Sequence, residues 1–128
     1  MVADRIELVA PLGAPWEPVV RLVLGGIAGR MNFGFEELDD LQLAVERLLL
    51  EAGSQDTIRL VFDVTDRAIR THVGPLRETA IADALQGPEP SPGDLTLRRI
   101  LETVVDSFGL ELSDSGELVV RLEKVVRR

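Results

Sequence analysis

Leu38-Asp39-Asp40-Leu41-Gln42-Leu43-Ala44-Val45-Glu46-Arg47-Leu48-Leu49-Leu50-Glu51-Ala52 repeats its apolar residues at helical spacing, with Leu38, Leu41, Val45, Leu48 and Ala52 on one face. Glu36, Glu37, Asp39 and Asp40 stand in its first turns, where the positive end of a helix dipole favours carboxylates. The pattern predicts a helix from about Phe35 to Ala52, closed by Gly53. Leu43 and Leu50 fall off the stripe, so a contact on a second side is expected. A helix with one apolar face needs another element to cover it.

The flanking segments supply that element. Arg5 to Ala10 alternates polar and apolar residues and stops at Pro11, as a strand does. Gly13-Ala14-Pro15 opens a helix to about Arg30, with Val19, Leu22, Val23, Gly26 and Ile27 read as its inner stripe. Gly25-Gly26 is costly inside a helix and suggests close approach of another backbone. Met31-Asn32-Phe33-Gly34 is the turn between the helices. Thr57–Val64 and Ala68–Val73 read as a hairpin ended by Gly74-Pro75, and Arg77–Gln86 as a short helix. Gly87 to Gly93 is a proline-rich loop, followed by a helix over Leu95–Phe108 closed by Gly109. A hairpin ends the chain, with Leu110-Glu111-Leu112 and Glu117–Val126 joined by Ser113-Asp114-Ser115-Gly116. The order β-α-α-β-β-α-α-β-β predicts a single α+β domain over residues 1–128: a two-layer sandwich whose mixed sheet of about five strands is covered on one face by helices.

Composition narrows the chemistry. Acids outnumber bases 22 to 14, for a net charge of −8, and Lys124 is the sole lysine. That balance offers no cationic footprint for nucleic acid. The absence of cysteine excludes a disulfide framework, a thiolate nucleophile and a thiolate zinc site. A single histidine, His72, excludes a multi-histidine metal site. No apolar run is long enough to span a bilayer, and the first residues have no leader layout, so a cytoplasmic protein without membrane contact is expected.

The helix over Leu38–Ala52 resembles the N-box helix of bacterial anti-sigma factor serine kinases of the RsbW and SpoIIAB type, members of the histidine-kinase-like ATPase fold. Val20-Arg21-Leu22-Val23-Leu24-Gly25-Gly26-Ile27-Ala28 is similar to the family's first helix. Ile100–Asp106 and then Gly116–Lys124 follow its helix-then-hairpin cadence. The resemblance covers nearly the whole chain. It implies ATP and magnesium as cofactors, with an N-box glutamate polarising the attacking hydroxyl or water and an asparagine four residues on coordinating magnesium. Those positions hold Arg47 and Glu51 here. Arginine has no acceptor and stays protonated, so it cannot act as the base, whereas Glu51 keeps oxygens that suit magnesium. The implied adenine-binding aspartate and glycine loop fall at Thr71-His72-Val73-Gly74-Pro75-Leu76, where Gly74 alone matches. At the lid position, residues 87–93, prolines remove the N–H groups that would meet phosphates.

Arg47, Glu51 and Gly74 are thus vestigial nucleotide positions under the resemblance; the plainer reading of the first two is an i,i+4 ion pair. Arg21 matches an arginine on the surface that relatives use for a sigma factor or antagonist, and otherwise is a solvated helix residue. Trp16 is either a partner anchor or a cover for the core. His72 is read as a half-exposed strand residue rather than one that stacks on a base, and Glu36–Asp40 as a solvated helix start. The loop at 87–93 is read as mobile, with a plug over the altered site as the alternative. The reading that follows is an anti-sigma-factor-like regulator acting by partner switching, without catalytic residues or a cofactor. Its partner would be a sigma factor or anti-anti-sigma protein, bound through the first helix and first strand, and its strand edge would be free for homodimerisation. The alternatives are an active ATP-dependent serine kinase that phosphorylates an anti-anti-sigma partner, and a self-associating scaffold.

Overall fold

Alternation along the strands sorts their side chains into one apolar row and one charged row, and the apolar row decides where the helices lie. The structure, a computed structural model, describes residues 4–11, 17–31, 33–52, 55–77, 79–88, 91–93 and 95–126. Its elements are β1 (Asp4–Pro11), α1 (Glu17–Met31), α2 (Phe35–Glu51), β2 (Thr57–Val64), β3 (Ala68–Leu76), α3 (Thr79–Gln86), α4 (Leu97–Val104), β4 (Ser107–Leu112) and β5 (Leu118–Val125). The five strands form one sheet in the order β1-β2-β3-β5-β4. The α+β sandwich is therefore present, but the sheet is antiparallel at every pairing rather than mixed. β4 runs in the same direction as β3, and β5 inserts between them, so the two never pair in parallel.

On the inner face, Ile58, Leu60 and Phe62 of β2, Ile69 and Val73 of β3 and Val120 and Leu122 of β5 are buried. They share one core with Leu24 and Ile27 of α1, Leu41, Val45 and Leu48 of α2, Ile81 of α3 and Leu101 of α4. The expected α2 stripe is borne out, with Leu38 packed against the core from a partly buried position. Leu43 and Leu50 remain exposed.

Three expectations are corrected. The buried stripe of α1 is Val20, Leu24, Ile27, Ala28 and Met31, whereas Leu22 is 75% exposed. That helix is apolar on nearly every side, so its spacing alone did not distinguish one face from the next. Among the described residues no other backbone approaches Gly25 or Gly26; a Cβ on either would meet nothing within 4 Å. The last helix stops at Val104, because Val105 takes an extended backbone (φ −115°, ψ 158°). Asp106 then joins β5, its N–H donating to the Glu123 carbonyl at 2.9 Å and its carboxylate accepting from the Val125 N–H at 2.7 Å. Phe108 and Gly109 consequently lie in β4, opposite Leu122 and Arg121.

Strand β3 also runs past Gly74-Pro75 to Leu76, with a register shift between Val73 and Leu76 that lets buried Leu76 pair with Leu118. Both hairpins close on hydroxyl groups. Thr65 Oγ1 accepts from the Arg67 and Ala68 N–H groups at 3.2 and 3.1 Å, and Ser113 Oγ from the Glu117 N–H at 3.1 Å. Gly116 takes the left-handed φ of +81° that the second turn needs. Trp16, Gly13-Ala14-Pro15, Asn32 and Gly53 lie outside the described residues.

Candidate functional site

α2 sets Arg47 and Glu51 one turn apart, and their side chains meet, Arg47 Nη2 lying 3.5 Å from Glu51 Oε1. Both are partly exposed, at 35% and 44%, so the pair is worth at most about 0.5 kcal/mol. The Arg47 Nε is buried, with no hydrogen-bond partner among the described residues.

Gln55, four residues beyond Glu51, donates through its amide to the Thr57 carbonyl at 2.9 Å and the Pro75 carbonyl at 2.8 Å. Its amide oxygen accepts from the Arg77 N–H at 3.2 Å. The chain just past α2 is thereby tied to the Gly74-Pro75 segment, which carries a cis peptide bond. A Cβ at Gly74 would stand 3.0 Å from the Leu118 carbonyl oxygen and 3.2 Å from Val119 Cα. A side chain there would press on β5, so packing alone favours the glycine where β3 meets β5.

The proline-rich loop is anchored at its base. Arg98 donates to the Gly87 carbonyl at 2.7 Å and pairs with Glu102 at 3.1 Å, and Thr96 caps α4 by accepting from the Arg99 N–H. Glu89 and Pro90 of that loop lie outside the described residues.

Arg21 is not brought to this region. Its guanidinium makes a two-pronged contact with Glu46, Nη2 to Oε2 at 3.0 Å, at the junction of α1 and α2. Gln42 reinforces that junction by donating to the Arg21 carbonyl. Trp16, the other residue expected to contact a partner, lies outside the described residues.

Lys124 has a role that the sequence reading missed. Its ammonium is buried beneath the helices, donating to the Val104 carbonyl at 2.7 Å and to Asp40 Oδ2 at 3.1 Å. It thereby joins β5, the end of α4 and α2. The signal was its place in the row Val120, Leu122, Lys124, whose first two members face the core. Gln55 and Arg98 carried no comparable signal, since their partners are backbone groups brought near only by the fold.

The helix-free face of the sheet is a charge lattice. Arg5 pairs with Asp63 at 2.8 Å, Arg59 with Glu7, Arg70 with Glu123 at 2.9 Å and Arg121 with Glu111 at 3.4 Å. The hydrogen bond that Arg5 donates to Asp63, and then the carboxylate's charge, raise the pKa of the Arg5 guanidinium above its ordinary value. His72 sits half-buried among these groups, 3.8 Å from Asp63 and 3.6 Å from Glu111. Among the described residues, no group of three or more histidines and carboxylates is placed to hold a metal ion, and no helix is long and apolar enough to cross a membrane.

An antiparallel five-stranded sheet backed by four helices, with the acidic-start helix α2 against its core, is the α+β sandwich that the resemblance to anti-sigma serine kinases implies. The similarity has named counterparts. Over 98% of its length the chain is 26% identical to the serine-protein kinase RsbW of Bacillus licheniformis, covering 88% of that protein. Shorter stretches rise to 36% identity over 50 residues with RsbW of Bacillus subtilis and 39% over 49 residues with RsbW of Oceanobacillus iheyensis, each covering 31% of that relative. No family model matches the chain. The resemblance to RsbW read from the sequence thus extends over nearly the full length.

Proposed function

We propose that this protein is an anti-sigma-factor-like regulator that works in the cytoplasm by binding other proteins and does not use ATP. The observation that carries this reading is the Arg47–Glu51 ion pair on α2. Under the resemblance, these positions need a general base and a magnesium ligand. A guanidinium supplies neither, and it competes with a cation for the Glu51 oxygens. Gly74, the one match to the implied glycine loop, instead lies where β3 packs closely on Leu118 and Val119 of β5. The donor set therefore does not fit magnesium-ATP, and no catalytic step is derived through it.

The partner would be a sigma factor or an anti-anti-sigma protein, and the acidic charge suits a basic, DNA-binding client. Arg21 lies on the contact surface in this reading. Arg21→Glu would set two carboxylates against each other at the α1–α2 junction and should weaken binding of such a partner at least tenfold; unchanged affinity removes α1 from the surface. Homodimerisation would use β1, whose outer edge has no strand partner among the described residues and whose Ile6 and Val9 are exposed.

A second reading has its own support: the relatives bear the name serine-protein kinase. It expects label from ATP to appear on a serine of an anti-anti-sigma partner. The proposal expects none, with binding of that partner retained.

A further inference from the structure

We propose that the outer face of the α1–α2 pair docks an amphipathic helix with an apolar stripe and basic residues at one end. The proposal rests on the reading that the protein acts by protein contact, and it names the surface and the chemistry of what binds. Glu36, Asp39, Leu43, Glu46 and Leu50 recur along α2 at steps of three and four, so they form one stripe turned away from buried Leu41, Val45 and Leu48. Leu43 is 43% and Leu50 60% exposed. Glu46, between them, reaches across to Arg21 of α1, and the next residue on that helix, Leu22, is 75% exposed. Three leucines therefore surround an ion pair already satisfied within the protein.

Beyond Leu22 the surface is low, because a Cβ at Gly25, Gly26 or Gly29 would meet nothing within 4 Å. Leucines scattered singly over a surface need no explanation; here Leu43 and Leu50 recur on one face of α2, and Leu22 stands exposed on the helix packed beside it. Charge selects the occupant. Glu36 and Asp39, at the α2 N-terminal end of the stripe, carry no ion pair among the described residues, and the chain has a net charge of −8. The matching ligand has leucine-type residues every three or four positions and arginines or lysines over that end. The open sheet face offers no such match, since its charges neutralise one another.

The test uses a synthetic peptide of roughly five helical turns, with leucines at that spacing and arginines at one end, titrated into the isotope-labelled full chain. Saturable binding is expected, with amide shifts along the outer residues of α1 and α2. Leu43→Ser and Leu50→Ser should each weaken it at least about tenfold while leaving thermal melting unchanged, as both side chains are exposed. The pair Glu36→Lys and Asp39→Lys should weaken it and remove its salt dependence. Absence of saturable binding, shifts on the sheet face instead, or equal binding of a peptide with scrambled leucine spacing would each overturn the proposal. Concentration-dependent dimerisation abolished by Leu50→Ser, with no competition by the peptide, would overturn it in favour of a second copy of this chain. Saturable Mg-ATP binding with the peptide results intact would overturn the nucleotide-free reading alone.

Discussion

Lys124 and Thr71 lie on the same buried face of the sheet and meet opposite fates. Lys124 gives up water but finds the Val104 carbonyl and Asp40. Removing its ammonium strands a carbonyl at the end of α4, while Asp40, with 41% of its side chain exposed, can turn to solvent. Lys124→Met should therefore cost about 1–3 kcal/mol in urea unfolding, and Asp40→Asn clearly less. An equal loss in both would show that the ion pair, rather than the carbonyl contact, holds the junction. Thr71 is fully buried, with no partner for its hydroxyl among the described residues. Thr71→Val keeps the shape and removes the orphan group, so it should leave stability unchanged or raise it by about 1 kcal/mol. A drop would mean that the hydroxyl is hydrogen-bonded after all.

At the scale of elements, legibility followed the contrast between polar and apolar residues. α2 carries enough charge that its core face could be read directly, and β2 of the central hairpin was equally plain because Ile58, Leu60 and Phe62 recur at every second residue, with Arg59 and Asp63 on the opposite face. α1 has little such contrast, and its stripe was read correctly at Ile27 and Val23 but wrongly at Leu22. The end of α4 was hidden because Val104 and Val105 suit both a helix face and an extended segment; pairing of Asp106 with β5 decides between them. The site was legible only where it is local: the i,i+4 contact of Arg47 with Glu51 follows from spacing, whereas the Gln55 clip depends on contacts distant in sequence. Two glycines test these assignments. Gly26→Ala, on an open helix surface, should stabilise the protein by about 0.5–1 kcal/mol, and destabilisation would restore the close approach first expected there. Gly74→Ala, whose Cβ would press on the Leu118 backbone, should destabilise it by about 1–3 kcal/mol.

The whole molecule presents two unlike surfaces. The open sheet face is polar and internally neutralised, with arginines and carboxylates paired across neighbouring strands. The helical face carries the exposed leucines and, at the start of α2, carboxylates without ion pairs among the described residues. On α2, Arg47 stands in contact with Glu51, and the backbone at Gly74 lies close against β5. In the proposed reading, a fold resembling that of serine kinases is joined to a surface for protein contact, and fold alone does not confer the reaction. Titration of Mg-ATP into the full chain by calorimetry tests this most directly. The account predicts no saturable heat at millimolar nucleotide and no change in melting temperature, since only a ligand that prefers the folded state raises it. Saturable binding accompanied by a higher melting temperature would contradict it.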